Sequence, residues 1–86
     1  MDIKRDFVLR YVAGTALLIP TGRTALDLNG MLTLNELGAE IWTMLPQAKN
    51  EQDIVARILE DYDATEEQVK QDVAAFLAKL RGLGIL

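Results

Sequence analysis

The sequence predicts one α+β domain of winged helix-turn-helix type, with a three-stranded antiparallel sheet followed by three helices. Two observations carry that reading. The hydrophobic pattern changes once, near residue 35: before it apolar and β-branched runs alternate with turn signals, and after it apolar residues recur at helical spacing. Charge divides at the same place, with four basic and three acidic side chains in residues 1–34 and five and ten in residues 35–86. With 86 residues, half of them apolar, the chain has enough material for a single core, so residues 1–86 are read as one domain.

Phe7–Val12 is rich in β-branched and aromatic residues and ends at Ala13-Gly14, a turn signal. Thr15–Ile19 resumes the apolar run and stops at Pro20-Thr21-Gly22, so the two segments form a predicted hairpin. Asn29-Gly30 is the strongest short turn signal, because both residues tolerate positive φ. Met31–Leu34 after it reads as a third strand, while Thr24–Leu28 is open between a short strand and an irregular crossing.

Each helix has an identifiable start. Asn35 caps the first, whose apolar positions are Leu37, Ile41, Met44 and Leu45, and Pro46 ends it. Asn50 caps the second, with Asp53 in its first turn and Ile54, Val55, Ile58, Leu59 and Tyr62 on its inner face. Thr65-Glu66-Glu67-Gln68 is a capping-box pattern for the third, whose apolar arc is Val69, Val73, Phe76, Leu77 and Leu80. Gly82 and Gly84 close that helix and leave Leu83, Ile85 and Leu86 as an apolar tail expected to fold back onto the core. The short connector Asp63-Ala64 between the later helices suits a helix-turn-helix, with the sheet as its wing.

Composition excludes much chemistry. There is no Cys, His or Ser. Thiol and serine nucleophiles, histidine acid–base catalysis, disulfides and zinc or iron–sulfur ligation are therefore absent from the repertoire. A phosphopantetheine carrier would need a serine. No apolar run approaches the ~18 residues of a membrane span, and Met1–Asp6 lacks the apolar stretch of a signal peptide. The expectation is a cytoplasmic, non-catalytic protein with no cofactor, no metal and no membrane partner. Asp27, Glu36, Glu40, Asp61 and Asp63 read as caps and solubilising charges, and Gly14, Gly22 and Gly30 as turn residues rather than a phosphate loop. Trp42 beside Ile41 and Leu45 reads as core.

Three segments together resemble the PqqD-like family. They are Met31-Leu32-Thr33-Leu34-Asn35-Glu36-Leu37-Gly38-Ala39-Glu40-Ile41-Trp42, then Asp53-Ile54-Val55-Ala56-Arg57-Ile58-Leu59-Glu60-Asp61-Tyr62-Asp63, then Asp72–Leu80 with the Gly84-Ile85-Leu86 ending. The likeness spans roughly residues 7–86 and is closer to the broad family than to the pyrroloquinoline quinone pathway protein. It implies a recognition element for ribosomally made, post-translationally modified peptides. Such an element binds the leader of a precursor peptide as a strand added beside the third strand, against the third helix. It then presents the core to a modifying enzyme, often a radical SAM enzyme.

The residues allow that reading. Met31, Leu32, Thr33 and Leu34 form an edge with no later strand to cover it and no protective Lys or Pro. On the third helix Lys70, Ala74, Leu77 and Arg81 lie along one border of the apolar arc, with Val73 beside them, and small residues between two cations would admit a strand with acidic ends. The opposite border, Gln68, Asp72, Ala75 and Lys79, has no net charge. The rival for this topology is nucleic-acid binding, but Glu66, Glu67, Lys70 and Asp72 at the start of the third helix sum to −2 and oppose phosphate. The other alternative is a regulatory or protein-interaction module that binds a folded partner and no leader. A homodimer through the exposed edge is left open.

Overall fold

The computed structural model describes residues 1–27 and 30–86. Strands β1 (Phe7–Val12) and β2 (Thr15–Pro20) pair antiparallel from Phe7↔Pro20 to Val12↔Thr15. Ala13 and Gly14 turn the chain between them, both at positive φ (51° and 81°), as a two-residue hairpin with right-handed strand twist requires. Strand β3 (Leu32–Leu34) pairs antiparallel with β2 through Ala16↔Leu34, Leu17↔Thr33 and Leu18↔Leu32. The sheet order is β1-β2-β3. Met31, expected inside the strand, precedes it and is exposed. Of the Asn29-Gly30 turn, Asn29 lies outside the described residues; Gly30 has φ 89°.

Between β2 and β3 lies a six-residue helix, α1 (Gly22–Asp27), where the sequence suggested a strand or irregular crossing for Thr24–Leu28; Leu28 itself is outside the described residues. A helix this short does not stand on its own propensity. It is strapped to the start of β1: the Asp6 N–H donates to the Thr24 hydroxyl at 2.8 Å, the Thr21 N–H donates to the Asp6 carbonyl at 2.9 Å, and Arg5 meets Asp27 at 3.0 Å. These partners are some twenty residues away along the chain, so no local pattern announces them.

The remaining helices begin where the sequence places them. In α2 (Glu36–Met44) the Gly38 N–H donates to Asn35 Oδ1 at 2.7 Å, and a 3₁₀ turn over Leu45–Gln47, containing Pro46, ends it. In α3 (Glu51–Asp61) the Asp53 N–H donates to Asn50 Oδ1 at 2.8 Å. In α4 (Glu66–Gly82) the Gln68 N–H donates to Thr65 Oγ1 at 3.2 Å, while the Gln68 side chain donates to Asp72 Oδ1 at 2.9 Å, one turn into the helix.

One core joins sheet and helices. Ala16, Leu18 and Leu34 from the sheet pack with Ile41, Trp42, Leu45, Ile54, Ile58, Val69, Val73, Leu77 and Leu80, all buried. Trp42 is core, with the Phe7 ring edge-on at 6.0 Å between centroids. The tail folds back in part: Ile85 is fully buried and its carbonyl accepts from the Lys4 N–H at 2.7 Å, whereas Leu83 stays exposed.

Candidate functional site

Strand β3 has a paired side and an open one. Its paired side meets β2, and its other side has no strand neighbour among the described residues, so alternate backbone N–H and C=O groups face outward there. Thr33 projects from the exposed face of the sheet, while Leu32 and Leu34 point to the core side, half-buried and buried. Immediately after Leu34 the chain turns at Asn35 into α2, which brings the start of that helix under α4.

Gly38 is the close point. A Cβ there would lie 3.1 Å from Asn35 Oδ1, 3.3 Å from the Phe76 ring and 3.6 Å from the Leu34 Cβ. The missing side chain therefore lets Phe76 settle beside the end of β3. A cleft of about 320 Å³ opens at this junction, between Asn35, Leu37 and Ile41 on one wall and Asp72, Phe76 and Lys79 on the other. Its floor is apolar and its α4 rim carries one charge of each sign.

A second cleft, of about 660 Å³, runs between α3 and α4. Val55, Ala56, Leu59 and Ala74 form its apolar surface, and Glu51, Glu66 and Lys70 stand at its margin. Glu66 and Lys70 pair across one helical turn at 3.6 Å.

The structure divides the residues expected to bind a peptide. Leu32, Thr33 and Leu34 are on the edge strand and Met31 flanks it. Val73 and Leu77 are fully buried and support α4 from beneath, so neither can meet a ligand without unfolding. Lys70 and Ala74 line the α3–α4 cleft, on the side of α4 away from the Leu34–Gly38 junction, and exposed Arg81 lines neither cleft. The border next to that junction is the opposite one: Asp72, Ala75, Phe76 and Lys79. At 100° per residue the two borders flank the same buried stripe, and periodicity alone assigns neither to the sheet; the sequence reading chose the border with the two cations. Phe76 was legible as an apolar-arc residue; its place at the Gly38 gap depends on how α2 crosses α4.

Two displaced pKa values lie at the ends of α3. The Lys49 backbone N–H, donating at 3.0 Å, holds the Asp53 carboxyl below its ordinary value, with Arg57 helping. Burial raises the Tyr62 phenol, and the nearby charges of Glu36, Glu40 and Asp61 raise it further. Among the described residues, no group of three or more His, Cys, Asp or Glu side chains is placed to hold a metal ion.

Residues 15–86 match the family described as Coenzyme PQQ synthesis protein D (PqqD). The chain belongs to the PqqD family. Two solved structures share the fold of this PqqD-family chain. One is TbiB1 in complex with the TbiA(beta) leader peptide, 23% identical, with a TM-score of 0.74 over 100% of this chain and 94% of that one. The other is lasso peptide synthetase B1 complexed with the leader peptide, 18% identical, with a TM-score of 0.73 over 98% and 93%. No curated protein matches the sequence. The α+β architecture and the family resemblance read from the sequence are both borne out.

Proposed function

We propose that this PqqD-family protein binds the leader segment of a ribosomally synthesised precursor peptide and presents the peptide to a modifying enzyme of the radical SAM class. The observation that carries the proposal is the edge of β3 with no strand neighbour among the described residues, leading at Asn35 into an apolar cleft. The two fold neighbours, each complexed with a leader peptide, add support. A leader strand would take hydrogen bonds from the outward backbone groups of Leu32–Leu34, each contributing about 0.5–1.5 kcal/mol. Its inward side chains would enter the cleft at Phe76, between Asp72 and Lys79. Asp72, Ala75, Phe76 and Lys79 thus take the place that the sequence reading gave to Lys70, Val73, Ala74, Leu77 and Arg81.

The protein's part is recognition and not turnover: the site offers an edge and an apolar recess, and no nucleophile or acid–base pair. We place its action in the cytoplasm, where such precursors are made; no helix among the described residues is long and apolar enough to cross a membrane. The test is amide chemical-shift mapping with the leader of a precursor peptide encoded beside the gene. Shifts at residues 32–34 and 72–79 are expected. N-methylation at every second leader residue should abolish binding in one parity and spare it in the other, because only alternate N–H groups face β3. Shifts confined to α3, or indifference to N-methylation in both parities, would refute strand addition.

A further inference from the structure

The larger of the two clefts on α4 is not the one beside the edge strand. It lies between α3 and α4 and shares only α4 with the proposed leader site. Its walls are two helices, so beyond the N–H groups of their first turns it has no row of free backbone groups to offer a strand. Its complement is the side-chain face of a helix. Val55 and Leu59 supply the floor, and Ala56 on α3 and Ala74 on α4 keep the walls low enough for a helix to seat. The eleven residues of α3 give a seat about 16 Å long, three turns of a partner helix.

Charge identifies the occupant. Residues 51–74, which make α3 and the first half of α4, carry eight acidic and two basic side chains, a net −6. The whole chain is −4, so the other 62 residues together carry +2. Both cations in this stretch are already engaged, Arg57 with Asp53 and Lys70 with Glu66. Of these charges Glu51, Glu66 and Lys70 line the cleft itself, a net −1 with Lys70 held by Glu66, while Asp72 belongs to the other cleft. The balance at the rim is acidic, and a basic rim on the partner would complement it.

We infer that the α3–α4 cleft docks an amphipathic helix with basic flanks, contributed by the modifying enzyme, while the β3 edge holds the leader. The assignment of that helix to the enzyme rests on the leader-binding reading; the preference for a basic amphipathic helix does not. Because the two clefts use opposite borders of α4, one protein molecule can hold both partners at once.

The test uses the full chain and two model helices of about 18 residues, five turns. Both have leucines at i, i+3, i+4 and i+7, one with lysines and the other with glutamates at the remaining positions. The lysine helix should shift the amides of Val55, Ala56, Leu59, Gln71 and Ala74. It should bind at least tenfold more tightly than the glutamate helix and weaken as salt is raised. Ala74→Arg and Glu51→Lys should each reduce its affinity, by about tenfold and a few-fold respectively, with helical circular dichroism retained. Equal binding of both helices overturns the inference. So do shifts centred on residues 32–34 and 72–79, no binding at millimolar peptide, or peptide-free α3–α4 shifts that grow with protein concentration and show a second copy in the cleft. Titrating leader into the same samples separates the two proposals. A leader that misses the edge while the lysine helix still docks removes the leader reading alone. The converse removes the helix site alone.

Discussion

Helix α4 stands between two recesses built from different materials. Toward the start of α2 the recess begins at Asn35, just past the end of β3, whose outer side has no strand neighbour among the described residues. Phe76 stands on its α4 wall, and its α4 rim has one charge of each sign. Toward α3 the recess is twice the volume, walled by helices only, and lined by two acids, Glu51 and Glu66, against the single cation Lys70. The first can recognise a peptide mainly through main-chain hydrogen bonds, which tolerate sequence variation at alternate positions. The second can recognise only side chains, so shape and charge must decide what binds. One helix thus offers two kinds of specificity from its two borders, and the buried stripe between them ties their stability together.

The largest effect should come from that stripe. Leu77→Ala removes a fully buried side chain beneath both recesses and should cost about 2–5 kcal/mol in urea unfolding, with both binding activities falling together. A loss of leader binding without loss of stability would return Leu77 to the role of a contact residue.

Gly38→Leu separates the recesses. The new side chain meets Phe76, Leu34 and the Asn35 cap, closing the cleft beside β3 without touching α3. Leader affinity should fall at least tenfold, about 1.4 kcal/mol, by isothermal titration. Unchanged affinity in a folded variant would move the leader away from this junction.

A pair of neighbours on α4 sharpens the contrast further. Ala75→Arg places a long cation on the border facing α2 and should weaken leader binding several-fold, whereas Ala74→Arg should leave it within about twofold. The reverse ranking would show that the leader lies against the Lys70–Ala74 border after all.

The smallest effect is a pH dependence on the α3 side. Asp53 has its pKa lowered in the folded protein, first by the Lys49 N–H and then by Arg57. The folded state therefore binds its proton more weakly than the unfolded chain does. Its contribution to stability is complete above the unfolded value of about 3.9 and is lost as pH falls through the folded value. Asp53→Asn should flatten the acid limb of the stability–pH curve in that window, read by thermal unfolding, and leave leader binding unchanged. An acid limb identical to that of the parent would show that the Lys49 bond does not persist in solution.

The sequence by itself determined most of what neighbours along the chain hold, although the Gln68 side chain expected to complete the capping box turns to Asp72 instead. Asn35, Asn50 and Thr65 cap their helices because a side-chain oxygen three residues before an unpaired N–H can reach it in any context. Pro46 ends α2 for equally local reasons, and the 3.6-residue period selected the buried stripes of α3 and α4. Only the tertiary structure decided what depends on distant partners. Helix α1 exists because Asp6 and Arg5 hold Thr24 and Asp27. The buried stripe of α4 has two borders related by near-symmetry in the pattern, and the sequence preferred the one with cations. Which border meets β3 follows from the direction in which α4 crosses α2, with Gly38 admitting Phe76 at the crossing. Periodicity measures the angle around one helix axis. It carries no information about how two axes are set relative to each other, and the placement of the site depends on that setting.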